Sequence, residues 1–389
     1  MGDARHITFV TGTRADLGLM RHTLRRLCRA RSLSLSVVAT GMHLDRRYGP
    51  PLSAVREVLG REPDAVVPWP RTSSVADLAA VAGAAAGRLA RTYAALGTRG
   101  VLLVGDRPEA LAAAMAAHLS RIPIAHVHGG DRAEGQTDDA IRHAITHMSQ
   151  LHLAASADAA ARLVRLGQDP RTVHHVGAPG LEDIARDAAK GLAEAKARFG
   201  DLSDPRRVVL LLHPTSPDRS LERRRARHLL WALARAELTR PLVLAPNNDP
   251  GHEGIREAYG DAGLKVVGDL PRGVFLGLLK GVGLLVGNSS AGVIEAPSLG
   301  VSVVDVGDRQ SGRVRGPAVR QVGWAAGERG LAAVVSEAAR WRGRAPSDNP
   351  YAPPPGKPGG PGGATSARIV RLLRARCMVY PACPKRLTH

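Results

Sequence analysis

The stretch IAHVHGGDRAEGQTDDAIRHAITH, residues 124–147, opens as a short apolar run, passes through a turn dense in charge and closes as a helical pattern. Residues 124–127 read as a buried strand, and the spacing predicts a helix over 139–149 with Asp138 and Asp139 at its electropositive start. Strand, turn and helix in that order form the repeating unit of a parallel sheet covered by helices. Within residues 126–147 the chain sets four carboxylates, four histidines and two arginines. Dehydrating charge costs free energy, so Asp131, Glu134, Asp138, Asp139, Arg142 and His143 crowded at a strand exit point to the rim of an active site. A solvated loop leading into a helix start is the plainer reading. Apolar strand signals on both sides weigh against it, because they hold the segment at a sheet edge.

Outward from this stretch the same unit recurs in both directions. Strands are expected at 7–11, 35–40 and 101–104 before it, and at 151–154 and 173–176 after it. The GAPG sequence at 177–180 interrupts the pattern. A helix over 181–199 and strands at 208–212, 242–244, 265–267, 284–286 and 301–304 then resume it, with arginine-bearing helices at 21–31 and 219–240. A chain of 389 residues exceeds the usual size of one core. The expected fold is therefore α/β, two doubly wound Rossmann-like domains over 1–179 and 180–345, hinged near 177–180. Residues 346–389 read as a Pro/Gly-rich linker, a final helix at 366–376 and a tail. Ligands of such sheets bind beyond the carboxyl ends of the strands, so the two sets of strand ends are expected to face a central cleft.

The formal charge of +19 invites a polyanion partner, but the arginines are scattered and aromatic residues for base stacking make up only 3% of the chain. A small anionic substrate fits better, and no nucleic-acid partner is expected. Cys28, Cys377 and Cys383 form neither an even disulfide framework nor a zinc-binding pair. The first strand signal comes too early for a signal peptide, and the Ala-rich run at 75–96 carries Asp77, Arg88 and Arg91. The sequence is accordingly read as that of a cytoplasmic protein without a membrane partner.

The candidate site residues follow strand ends. After the first strand, Gly12 permits close backbone approach and Arg14 can meet a phosphate ahead of a helix N-terminus. Asp106, in VLLVGDRPEALAAA, is either an acid at a strand end or the N-cap of the helix at 109–119. In LLLHPTS, a protonated His213 could stabilise a departing phosphate. In LLVGNSSAGVIEAPSLG, Asn288, Ser289, Ser290 and Gly292 bring hydroxyls and free amides to a helix start, the chemistry that holds diphosphates, with Glu295 one turn on for a sugar diol. A capping motif would account for Asn288 or Ser289 alone. Arg309, Arg313 and Arg315 follow in VGDRQSGRVRG.

In order along residues 7–316, the segments GTRADLGLM, TGMHL, GDRPEALAAA, IPIAHVHGGD, DDAIRHAIT, VGAPGLEDI, LLLHP, PNNDPGHEGI, LPRGVFLGLLK, GNSSAGVIEAPSLGV and VGDRQSGR resemble the UDP-N-acetylglucosamine 2-epimerase family, especially its hydrolysing branch from sialic-acid-type pathways. The NPY at 349–351 fits the tail of that family. The resemblance implies a glycosyltransferase-B-like fold, with UDP held mainly by the C-terminal domain and the sugar facing the N-terminal carboxylates. It implies anti elimination of UDP to a 2-acetamidoglucal, followed by rehydration to N-acetylmannosamine, without a metal or redox cofactor. The substrate is expected to be UDP-N-acetylglucosamine or a related UDP-amino sugar, and the protein a homodimer. By the same resemblance Arg14, His213, Ser289, Ser290 and Glu295 fall at nucleotide-binding positions, and Asp106, Asp131 and Asp139 match the essential acids. His43, Arg107, Asp138, Arg142, Asn247, Asn288, Gly292 and Arg313 complete the expected substrate-binding set. The hydrolysing branch usually carries HGGE, and Asp131 is one methylene shorter; the non-hydrolysing branch usually carries HVEAG, and His128 takes the place of its glutamate. The local pattern favours hydrolysis. A non-hydrolysing epimerase, a UDP-sugar glycosyltransferase of the same fold and, from another class, a nucleic-acid-binding protein are the alternatives, which product analysis and salt dependence separate.

Overall fold

A computed structural model describes residues 5–46, 50–70, 75–132, 137–247, 249–268, 270–355 and 364–375. It divides into two compact units. The first comprises Met1–Asp131, Thr137–Glu182 and Tyr351–His389, the second Arg132–Gln136 and Asp183–Pro350.

The first unit alternates strand and helix: β1 (Arg5–Thr11), α1 (Arg14–Cys28), β2 (Leu33–Ala39), α2 (Ser53–Leu59), β3 (Ala65–Val66), α3 (Val75–Leu96), β4 (Gly100–Val104), α4 (Pro108–Leu119), β5 (Ile124–Val127), α5 (Thr137–Met148), β6 (Leu151–Ala154), α6 (Ala157–Arg165) and β7 (Val173–His175). All pairings are parallel, in the order β3-β2-β1-β4-β5-β6-β7. Every residue of β4 and β5 is buried, as expected of strands covered on both faces. One face packs Ile7, Phe9 and Leu102 against Leu17, Met20 and Leu24 of α1, and the other packs Val101 and Leu103 against Leu89 and Tyr93 of α3 and the alanines of α4.

The second unit contains α7 (Ile184–Phe199), β8 (Arg207–Leu211), α8 (Arg219–Arg235), β9 (Arg240–Leu244), α9 (His252–Asp261), β10 (Val266–Val267), α10 (Arg272–Val282), β11 (Leu284–Gly287), α11 (Ser290–Ile294), β12 (Ser302–Val306), β13 (Val319–Val322) and α12 (Gly327–Arg340). Its sheet is again parallel, in the order β10-β9-β8-β11-β12-β13. In each unit the connections reverse direction between two central strands, β1 and β4 in the first, β8 and β11 in the second. That reversal opens a crevice at the carboxyl ends of those strands.

The last helix, α13 (Thr365–Ala375), belongs to the first unit, where Ile369 and Leu373 join the core beside α1. Glu182 fastens its start, accepting from the Ser366 N–H and Oγ at 2.7 Å each, and Arg26 Nε donates to the same Oγ at 2.9 Å. The preceding Pro-rich segment has no helix or strand among its described residues, yet Tyr351 is buried and its carbonyl accepts from the Ala178 N–H at 2.9 Å.

The chain departs from the expected elements in places with identifiable causes. The helix expected at 21–31 starts at Arg14, because Thr13 and Asp16 form a capping box, and it ends at Cys28. The helix expected at 219–240 ends at Arg235, since the chain re-enters the sheet at Arg240. The one expected at 181–199 begins at Ile184, after Asp183 takes a left-handed conformation. Two further strands, β3 and β13, extend the sheets. Glu134, Cys377 and Cys383 lie outside the described residues. Among the described residues no helix is long and apolar enough to cross a membrane.

Candidate active site

In the first unit three acidic residues from three elements meet at one arginine, Asp106 and Asp139 through their carboxylates and Asp131 through its backbone carbonyl. Asp106 leaves β4, Asp131 lies just beyond β5 and Asp139 stands in the first turn of α5. Arg142, on the next turn of α5, is 1% exposed. Its Nη1 donates to Asp139 Oδ1 and to the Asp131 carbonyl, both at 2.9 Å, and its Nη2 to Asp106 Oδ2. A buried guanidinium requires such partners, and in return its rigid fork fixes three acidic residues relative to one another. Arg142, which the sequence placed in the substrate-binding set, spends these donors inside the protein. Asp138 follows in the same first turn, partly exposed.

Asp131 is 5% exposed, and its Oδ2 lies 3.0 Å from His128 Nδ1. His128 itself adopts φ 65°, a left-handed conformation that a side-chain-bearing residue holds only when its surroundings enforce it. Asp139 Oδ2 lies 3.4 Å from His143 Nε2. Behind the acids, His126 Nε2 donates to the Gly105 carbonyl at 2.7 Å and braces the turn that carries Asp106. Asp106 is not a helix cap: the N-cap of α4 is Arg107, with Pro108 in the first turn. The capping alternative for Asp106 is thus overturned by a one-residue offset.

On the other side of the β1–β4 reversal lie Arg14, which donates Nη2 to Ser53 Oγ at 3.2 Å, and His43, whose Nε2 meets Thr11 Oγ1 at 3.0 Å. Burial, reinforced by the Arg14 charge, pushes the His43 imidazole down to about 4, so it is neutral at physiological pH.

In the second unit the crevice residues follow β8 and β11. The Asn247 N–H donates to His213 Nδ1 at 3.0 Å, which leaves the ring proton on Nε2. Burial, with Arg309 adding to it, holds the His213 imidazole well below its ordinary range. The protonated His213 expected from the sequence is corrected: without ligand it is a neutral hydrogen-bond donor. Asn288 is 1% exposed, and its carboxamide is taken up by the backbone of His213. The Asn288 carbonyl in turn accepts from Gln310 Nε2 at 2.9 Å. Asn288 shapes the site from behind instead of presenting its side chain to it.

Ser289 is the N-cap of α11, and Ser290 opens that five-residue helix. The amide of Gly292 is not free as expected, since it donates to the Ser289 carbonyl at 3.0 Å. Gly292 is small for packing: a Cβ there would lie 3.0 Å from Val303 Cγ1. Glu295 is buried, with Oε1 2.6 Å from Arg272 Nη1. Arg313 Nε donates to the Arg132 carbonyl at 2.8 Å, within the second unit.

Three residues absent from the sequence-derived set stand beside these groups: Asp16, Glu109 and Arg272. Asp16 had a signal in the Thr-x-x-Asp capping pattern. Arg272, at the start of α10, had none, because its partner Glu295 lies 23 residues on.

The model of the family described as UDP-N-acetylglucosamine 2-epimerase matches residues 25–373. The chain belongs to that family. Within it, a UDP-N,N'-diacetylbacillosamine 2-epimerase (hydrolyzing) of Legionella pneumophila is 35% identical over 318 residues, covering 80% of this chain and 83% of its own. A UDP-N-acetylglucosamine 2-epimerase of Neisseria meningitidis is 32% identical over 320 residues, covering 81% of this chain and 83% of its own. The crystal structure of UDP-GlcNAc 2-epimerase from Neisseria meningitidis bound to UDP-GlcNAc superposes with a TM-score of 0.78 at 19% identity, over 95% of this chain and all of that one. At that identity the likeness speaks for the fold: two parallel-sheet α/β units of the glycosyltransferase-B type, as the resemblance implied. The acids around Arg142 and the small polar residues after β11 both lie within the span of the 2-epimerase family match.

Proposed function

We propose that this family member is a hydrolysing 2-epimerase that converts UDP-N-acetylglucosamine, or a related UDP-2-acetamido sugar, to UDP and the free 2-epimeric sugar. The observation that carries the proposal is the buried pair His128–Asp131: histidine and aspartate occupy the turn after β5, where the non-hydrolysing pattern has glutamate in the place of His128. The hydrolysing name of the Legionella relative supports it. Because that relative is named for a diacetamido sugar, UDP-N,N'-diacetylbacillosamine is the first alternative substrate. A non-hydrolysing epimerase is the second reading; the name of the Neisseria relative carries no hydrolysing qualifier.

In this account a domain over 1–179 supplies the acids and a domain over 180–345 holds UDP, in a cytoplasmic homodimer. Elimination across carbons 1 and 2 needs a base on one face of the sugar and an acid on the other. Asp106, Asp131 and Asp139 are the candidates, fixed by Arg142 so that little reorganisation accompanies proton transfer. His213, donating from Nε2, and Arg14 would meet the charge that develops on the leaving diphosphate. Ser289, Ser290, Glu295 and Arg313 would hold the nucleotide, and His43, Arg107, Asp138 and Asn247 would line the sugar.

Chromatographic analysis of a reaction with UDP-N-acetylglucosamine and no acceptor tests the proposal. Free N-acetylmannosamine and UDP in equal amounts are expected. Accumulation of UDP-N-acetylmannosamine without free sugar assigns the non-hydrolysing reaction instead. Calorimetric titration of UDP tests the division of labour. Glu295→Ala and Ser290→Ala should weaken UDP by about 1–3 kcal/mol, whereas Asp131→Asn should leave its affinity nearly unchanged.

A further inference from the structure

Glu109 is a carboxylate where the fold has little use for one. It stands in the first turn of α4, yet it is 5% exposed, and its side chain fills the space between the turns that follow β1 and β2. A Cβ on Gly12 would lie 2.8 Å from Glu109 Cγ, and a Cβ on Gly41 would lie 2.8 Å from Glu109 Oε1. The two glycines are in contact through the Met42 N–H, which donates to the Gly12 carbonyl at 2.8 Å. Three elements thus close on one side chain, and any Cβ at either glycine would collide with it.

An apolar residue of similar volume could fill that space without dehydrating a charge, and the one partner it would leave, Arg107, is partly exposed and open to water. The carboxylate has one ion-pair partner among the described residues, Arg107, whose Nε lies 3.4 Å from Glu109 Oε2. Arg107 is the residue before α4 and next to Asp106, and its side chain is partly exposed at the β1–β4 reversal. Asp16 registers both charges: Arg107 draws its carboxyl down while Glu109 pushes it up.

We infer that Glu109 is a positioning residue, a buried wedge that aims Arg107 at the sugar and fixes the Gly12 and Gly41 turns from which Arg14 and His43 extend. The inference rests on the functional reading above. Glu109 touches no substrate in this account; it acts through the guanidinium and through the two turns it separates.

A double-mutant cycle on steady-state turnover of the UDP-sugar tests the part that runs through Arg107. Glu109→Gln keeps the shape and removes the charge, and Glu109→Met keeps the volume and should fold at least as well as the parent by the argument above. Both are expected to retain cooperative melting and to lose about tenfold in kcat/KM, mostly through KM, if they act by misdirecting a binding group. In the background of Arg107→Ala the same substitutions should cost little more, because residues that act as one unit are not additive. A purely structural wedge predicts losses that multiply, and that result in an active protein overturns the positioning role alone. If both single variants melt normally with parental kcat and KM, the role is likewise overturned. A wild-type protein that turns over no UDP-2-acetamido sugar overturns the functional reading, and the positioning role with it.

Discussion

Asn288 continues the second sheet by one rung with its side chain. The His213 N–H donates to Asn288 Oδ1 at 2.7 Å, and Asn288 Nδ2 donates to the His213 carbonyl at 2.8 Å. Backbone pairing between β8 and β11 runs to Leu211 and Gly287. The carboxamide then holds the next turn where a strand would otherwise have to end. His213 is aimed by this clamp on its backbone and by Asn247 on its ring.

Asn288→Ala leaves two partly buried backbone groups of His213 without this partner and should cost about 1–3 kcal/mol in urea-induced unfolding. UDP affinity should fall with it, since the imidazole loses its fixed direction. Unchanged stability would show that the clamp is dispensable.

Arg142 makes a second test. Arg142→Met removes the cation that Asp106 and Asp139 share, and breaking a buried ion pair from one side costs about 3–5 kcal/mol. Asp106→Asn and Asp139→Asn should be milder for folding but should lower turnover by about two orders of magnitude or more, as expected when a positioned acid or base is lost. Near-parental turnover in either variant would remove that carboxylate from the chemistry.

The Asp16 carboxyl is raised by burial, and further by Glu109, from 3.8 to about 6, with Arg107 opposing. Its folded value lies above its unfolded one, so the fold favours the protonated form. The associated stability is fully present below about pH 4 and is lost as the pH rises through about 6. Asp16→Asn keeps an acceptor for the Thr13 N–H without the charge. It should match the parent near pH 4 and exceed it by on the order of 1–2 kcal/mol at pH 8, read from urea melts at both values. An equal difference at the two pH values would contradict the assignment.

Packing between α7 and α10 offers a test away from the site. A Cβ on Gly191 would lie 1.8 Å from the Gly273 carbonyl oxygen, so the two helices meet backbone to backbone. Gly191→Ala should therefore destabilise the second unit by about 1–3 kcal/mol or more, through overpacking that no rotamer can relieve.

The sheets are legible in the sequence because their central strands are buried on both faces and read as unbroken apolar runs, as β4 and β11 do. Ala65 and Val66 form too short a run to register as a strand, and β13, Val319–Val322, carries Arg320 and Gln321 at a sheet edge. Asp106, Asp131, Asp139 and Arg142 stood out because charge at strand ends is conspicuous. Their meeting at Arg142 depends on the approach of β4 to α5, which spacing along the chain does not reveal. Glu109 looked like an ordinary acid in a first helical turn; only the approach of Gly12 and Gly41 buries it. The charge state of His213 is hidden from the sequence for the same reason, since burial and Arg309 act through space.

The central claim, hydrolytic 2-epimerisation by elimination and rehydration, is tested most directly by proton NMR of UDP-N-acetylglucosamine with the pure protein in heavy water. The account predicts free N-acetylmannosamine carrying deuterium at carbon 2, with UDP released in step. Free sugar that keeps its original hydrogen at carbon 2, or UDP-N-acetylmannosamine as the end product, would contradict it.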